Sequence, residues 1–263
     1  MMFLNHVHII PKEISPGGGI EPFLQLVDAF ELEGAVCFAP FTYQTDPLGL
    51  NPNRWLYQQI KGKDYLIGYG TLDPTRAPED QIKEIADLGF RGVKLHPSAQ
   101  KFDVFGVWAR AAYESLVTHN LIADFHTGVH WHRLRDSHPL QFDEVAFHYP
   151  ELVMVFEHMG GWHYFREMVA VVVNNQQRGN RLYAGIASVL DRERQRYWYL
   201  GVDGLEDIKW QIGVQQMIYG MDYPYNDEAQ LRRDIDMIRG CFSAEESAQI
   251  LGGNLQALLG LSP

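Results

Sequence analysis

Eight short apolar runs recur along the chain, separated by longer stretches of helical character: "MFLNHVHII", "GAVCFAP", "YLIGYGTL", "RGVKLHP", "LIADFHTG", "LVMVFEHMGG", "RLYAGIAS" and "QMIYGMDYP". Runs of this length, bounded by turn-forming residues, read as buried strands. The stretches between them carry the other period. "APEDQIKEIADLG" places Ile82, Ile85 and Leu88 at helical spacing, opens on Pro78 and acidic residues, and stops at Gly89. "VWARAAYESLVTHN" and "WHYFREMVAVVVNN" behave in the same way. Strands alternating with helices, with no Gly/Ser-rich linker and no fixed repeat, predict an α/β fold: a single (β/α)8 TIM-type barrel filling residues 1–263 as one domain. A doubly wound open sheet is the alternative. Residues 243–263 read as a C-terminal helical segment, with Ser243 and Glu246 matching a capping box and a break at Gly252 and Gly253. Such a segment would cover an end or side of the barrel.

Composition narrows the partners. A hydrophobic fraction of 46% fills a sizeable core and excludes a disordered or fibrous chain. The net charge of -11, without a basic cluster, argues against nucleic acid or an anionic membrane surface as the main partner. The N-terminus lacks a basic leader, and no later run is long enough to span a membrane. Cys37 and Cys241 are the only cysteines, too few for a disulfide framework or a thiolate zinc site. The expectation is a reducing, cytoplasmic setting and a small-molecule substrate, with a homo-oligomer left open.

The chemistry gathers where the strands finish. His6 and His8 share a face of the first strand if its side chains alternate. His126 closes the fifth run, His158 the sixth and Asp222 the eighth, while Lys94 and His96 close the fourth. In a barrel these ends converge on one axis, so imidazoles and a carboxylate from distant strands can meet around a zinc-type ion. A second H-x-H, His130 and His132, lies in a polar loop with Arg133 and Arg135; His130 and Arg133 are candidates for substrate contact. Tyr43, Trp131, Trp162, Tyr223 and Tyr225 follow strands and are candidates to line the mouth, Tyr223 among the substrate contacts. The run "DRERQRYW" reads as a charged surface segment.

"HVH" at 6–8, "GFRGVKLHP" at 89–97, "HTG" at 126–128, "EHMGG" at 157–161, "YGMDYP" at 219–224 and "ILGGNLQALLGL" at 250–261 together resemble the amidohydrolase superfamily. Within it, the chain is similar to the amidohydrolase-related branch that includes the aminocarboxymuconate-semialdehyde decarboxylase-like enzymes. The resemblance runs nearly end to end. It implies one divalent metal ion, zinc in the first instance and manganese or similar as the alternative, held by His6, His8, His126 and Asp222, with His158 beside it. Two positions depart from the pattern: Leu4 stands where members often have Asp, and Met221 where they often have Ser.

From that ligand set follow the expected roles. Asp222 would take the proton of an ion-activated water, and His158 would polarise the scissile carbonyl. Lys94 would anchor substrate; a carboxylated Lys94 bridging a second metal is the alternative. The reaction expected is hydrolysis of a small-molecule amide, ester or lactone. The alternative is non-oxidative decarboxylation of an unsaturated or aromatic carboxylic acid, which needs a cation for the carboxylate; Arg54, Arg133 and Arg135 are the loop arginines in view. A non-catalytic ligand-binding barrel is a third reading, opposed by the complete set of strand-end residues.

Overall fold

A computed structural model describes residues 2–261 of the chain. Met1, Ser262 and Pro263, which belong to the expected domain and C-terminal segment, lie outside the described residues. Each apolar run forms a strand: β1 (Phe3–His8), β2 (Gly34–Phe38), β3 (Leu66–Gly70), β4 (Gly92–Leu95), β5 (Ile122–His126), β6 (Met154–Glu157), β7 (Leu182–Gly185), and two pieces of the eighth, β8 (Met217–Ile218) and β9 (Gly220–Tyr223). All pairings are parallel, in the order β8-β7-β6-β5-β4-β3-β2-β1-β9. Because β8 bonds β7 and β9 bonds β1, the eighth run brings the two margins of the sheet together, giving the nearly closed α/β barrel.

The run breaks at Tyr219 for a local reason. Its amide donates to Ile250 O at 3.0 Å, outside the sheet, and its hydroxyl donates to Asp234 Oδ2 at 3.0 Å. Its carbonyl turns the other way and accepts from Asn5 N at 3.1 Å. The helices fall where periodicity places them, at Pro78–Asp87, Val107–Thr118 and Gly161–Gln176. Ile82 and Ile85 are buried against the barrel, and Gly89 adopts a positive φ beyond the first of these helices.

Inward and outward side chains separate into two layers. Leu4, Val7, Cys37, Val93, Leu95, Phe125 and Phe156 pack between sheet and helices. Phe3, Val36, Phe38, Tyr69, Ile122, Val155 and Ile218 form a second cluster within the barrel, joined by Leu255, Leu258 and Leu259. The last three belong to helix Asn254–Leu259, so the C-terminal segment covers the N-terminal end of the barrel. The preceding helix Ala244–Ala248 starts on the capping box of Ser243 and Glu246. Gly252 is required for this docking, because a Cβ there would lie 2.5 Å from Phe3 N. Among the described residues no helix is long and apolar enough to cross a membrane.

Candidate metal centre

Alternation alone does not bring His6 and His8 together. Between Leu4 and Val7 the β1 register against β2 slips, so Asn5 and His6 together oppose Val36. His6 takes the left-handed region, at φ 60. Opposite it, β9 slips against β1, and Asp222 is left-handed at φ 57. The two bulges face one another across the seam where the barrel closes. They are costly for residues with a Cβ, and such backbone is concentrated where side chains must be aimed. Gly220 makes the approach possible, since a Cβ there would lie 2.7 Å from His6 Cβ.

The result is a tight donor group. His6 Nε2 lies 3.1 Å from His8 Nε2, and Asp222 Oδ1 lies 3.3 Å from the first and 3.7 Å from the second. These three donors fall within 4.8 Å of one another, a spacing that could hold a metal ion. His126 faces the same cavity, its ring centroid 4.8 Å from that of His158. Its Nε2 is buried without a hydrogen-bond partner, which is costly unless a ligand completes it. Two imidazole nitrogens and one carboxylate oxygen form a borderline-soft set that fits a divalent cation, and His126 stands outside that three-donor group with its orphaned nitrogen in the same cavity.

Burial sets the charges. It pushes the imidazoles of His6, His8, His96 and His126 well below the ordinary histidine range, with Lys94 and neighbouring imidazoles adding to the effect. His158 is held down to about 3, by burial and then by Lys94. The rings are therefore neutral at physiological pH, the state in which imidazole offers a lone pair. Burial raises the Asp222 carboxyl to about 6, against the pull of Ser188 and Lys94.

His158 carries a constraint that bears on its role. Its Nδ1 lies 2.7 Å from Ala187 O, and a carbonyl only accepts, so the ring proton sits on Nδ1. Nε2 is left as an acceptor. A neutral ring in that tautomer turns a lone pair, not an N–H, toward the cavity.

Other expected residues are distributed unevenly. His130 lines the cavity, with His96 4.6 Å away and stacked on His126 at 3.7 Å. Lys94 reaches the cavity wall from beneath, but its Nζ donates to Asp124 Oδ1 at 2.7 Å in full burial. Tyr223 is a correction: with Asp222 inward, the next residue points outward, and its hydroxyl donates to Gly17 O and to Gly19 O at 3.0 Å. Arg133 is another, because its guanidinium is drawn to the buried Asp136 at 2.6 Å and does not line the cavity. Arg54 pairs with Glu84 on the outside, at 2.5 Å. Leu4, the departure on β1, packs into the outer core.

Several site residues escaped the sequence reading. Ser188 Oγ donates to Asp222 Oδ2 at 2.7 Å and accepts from Asn226 Nδ2 at 2.7 Å. Gln195 Nε2 continues the chain to Asn226 Oδ1 at 3.1 Å, while its Oε1 takes the amides of Leu190 and Asp191. The "DRERQRYW" run thus folds over the mouth, and Arg194, Gln195 and Trp198 line a cavity of about 480 Å³. Beneath the histidines lie Asp124 and Glu157, both fully buried. A carboxylate two residues before His126, on the same face of an apolar strand, was the available signal for Asp124.

A family profile described as amidohydrolase matches residues 6–261. No curated protein matches the chain by sequence. Among solved structures, a protein provisionally described as a 2-pyrone-4,6-dicarboxylic acid hydrolase from Pseudomonas putida superposes with a TM-score of 0.71 at 15% identity, covering 98% of this chain and 97% of that one. The 5-carboxyvanillate decarboxylase of Sphingomonas paucimobilis gives 0.75 at 11% identity, covering 99% of each chain. A dihydroxybenzoic acid decarboxylase from a Polaromonas species, with bound manganese and the inhibitor 2-nitroresorcinol, gives 0.71 at 12% identity, covering 98% and 96%. At these identities the likeness is one of fold.

Proposed function

The chain belongs to the amidohydrolase family, and from that premise we propose that it is a metal-dependent hydrolase of a small-molecule amide, ester or lactone, with residues 1–263 forming one catalytic domain. The convergence of His6 Nε2, His8 Nε2 and Asp222 Oδ1 in one cavity carries this reading. His6, His8, His126 and Asp222 would hold one divalent ion, zinc or manganese. When bound, such an ion supplies Lewis acidity and a water that ionises near neutral pH.

The chain's own residues do the rest. Asp222, tethered through Oδ2 to Ser188, keeps Oδ1 toward the donor group and accepts the proton of the attacking water. The same carboxyl can then hand that proton to the leaving group. His158 Nε2 is a second acceptor at the same face. Phe41, Tyr43, Trp131, Trp198 and Tyr225 give the cavity aromatic walls suited to a flat substrate.

One observation favours decarboxylation as a second reading. Arg194 brings a guanidinium into the lining, where it would meet a substrate carboxylate, although Asp227 pairs with it at 3.0 Å. Elemental analysis of protein purified without chelator, followed by panels of lactones, amides, esters and aromatic acids with carbon dioxide release monitored, separates the readings. Turnover without carbon dioxide supports hydrolysis; release from an aromatic acid replaces it with the lyase. Protein that neither contains nor takes up a divalent ion ends both.

A further inference from the structure

Glu157 ends β6 in full burial, and nothing in the roles above uses it. Its Oε2 lies 2.9 Å from His6 Nδ1, close in distance though not aligned as a linear hydrogen bond. Its Oε1 accepts from Asn5 Nδ2 at 2.6 Å. The same amide donates to Asp124 Oδ2 at 3.1 Å, and Asp124 Oδ1 takes Lys94 Nζ at 2.7 Å. A buried chain of polar groups therefore runs from β4 through β5 and β1 to β6 and ends on the far side of the His6 ring. The carboxyl has little freedom: a Cβ on Gly185 would lie 2.4 to 2.7 Å from its atoms, so β7 leaves it only the space it occupies.

We propose that Glu157 is a positioning residue that aims His6, acting from across the barrel on the nitrogen opposite the donor group. This rests on the reading that the mouth holds a divalent ion. Burial and Asp124 push the Glu157 carboxyl up, and Lys94 opposes them. In its ionised form, 2.9 Å from Nδ1, it favours the ring proton there, and that leaves the Nε2 lone pair directed at His8 Nε2 and Asp222 Oδ1, 3.1 and 3.3 Å away. Only a carboxylate satisfies both of its neighbours. An amide at 157 has one acceptor: if that oxygen keeps the Asn5 bond, its NH2 faces Nδ1 and favours the wrong tautomer; if it turns, two NH2 groups oppose each other.

The test is metal affinity, read independently of turnover. The parent, Glu157→Gln and Gly185→Ala proteins are stripped with chelator, titrated with Co²⁺ by visible absorption, and competed with Zn²⁺. Unfolding of each metal-free protein is recorded alongside. Glu157→Gln is expected to weaken the ion by roughly 10- to 100-fold, the range for a group that orients a ligand histidine, with its metal-free melting temperature close to the parent's. Gly185→Ala keeps every charge but displaces the carboxyl, and weakens the ion in the same direction. A parent that binds Co²⁺ beside a Glu157→Gln protein of equal affinity overturns the positioning role and leaves the proposed function standing; a parent that takes no ion ends both. Should Glu157→Gln fail to fold, Gly185→Ala decides alone, and parental affinity there overturns the role.

Discussion

The same strands end in opposite chemistry at the two mouths of the barrel. At their N-terminal ends Phe3, Val36, Ile122, Val155 and Ile218 meet Leu255, Leu258 and Leu259 in an apolar plug. At their C-terminal ends five buried histidines and Asp222 surround an open cavity. Between the two lies the polar layer of Asn5, Lys94, Asp124 and Glu157. One end is therefore filled by apolar side chains packed on one another, and the other is ringed by donor atoms that face open space, His126 Nε2 among them without a partner. Stability and chemistry are separable along the barrel axis, and substitutions at each end should move different observables.

The largest effect belongs to the open end. Asp222→Asn should lower turnover of any substrate identified by roughly 10²- to 10⁴-fold, since an amide cannot accept the water's proton. It should keep part of the metal, whereas His126→Ala should lose metal and activity together; metal analysis beside steady-state rates checks both. An Asp222→Asn protein at the parental rate with full metal would reduce Asp222 to an anchor, with the base to be sought at His158 or His96.

Leu255→Ala tests the plugged end. Buried at 1% exposure beneath the strands, Leu255 should cost about 2–5 kcal/mol on truncation, seen as a lower midpoint in denaturant titration. Metal stoichiometry should not change. Loss of metal in this variant would mean that the two ends are coupled.

Asp234 sharpens the comparison with pH. It lies outside the site, accepts from Tyr219 and Gln230, and is raised from 3.8 to about 6, chiefly by burial. Because the folded protein binds this proton more tightly than the unfolded chain, the contribution is complete below about pH 4 and lost as pH rises through 6. Asp234→Asn should flatten that window by about 2 kcal/mol, measured as unfolding free energy between pH 4 and 7. An unchanged slope would place the proton elsewhere.

The smallest effect is expected at Arg194, half-exposed at the rim. Arg194→Ala should raise KM for a carboxylate-bearing substrate by roughly tenfold, about 1.4 kcal/mol, and leave uncharged substrates alone. An equal effect on both classes would make it a structural tether to Asp227.

What was legible in the sequence followed from local pattern. The strands announce themselves as apolar runs, and His6, His8, His126, His158 and Asp222 stand out because ionisable residues interrupt them. What was hidden depends on register. Nothing in "HVH" marks a left-handed His6, and Asn5 meets Asp124 and Glu157 only because strands 119 and 152 residues away fall beside it. "DRERQRYW" looks like a solvated face until Gln195 turns inward to bond Asn226 and the loop amides. Tyr223 illustrates the reverse error, in which a place at the end of a strand stood in for direction.

The bulged seam between β1 and β9 has a further consequence, in the order of assembly. Its partners are the most distant in the sheet, Asn5 with Gly220 and Val7 with Tyr223, so loop-closure entropy makes it one of the last contacts to form and an early one to open. His6 and His8 lie on one side of that seam and Asp222 on the other. A cation gripped by all three would act as a clasp on the barrel, adding about 2.7 kcal/mol to folding when present at a hundred times its Kd. Local opening of the metal-free chain should begin there, with amide exchange along Gly220–Tyr223 running ahead of β5 and β6 and slowing once the ion is supplied.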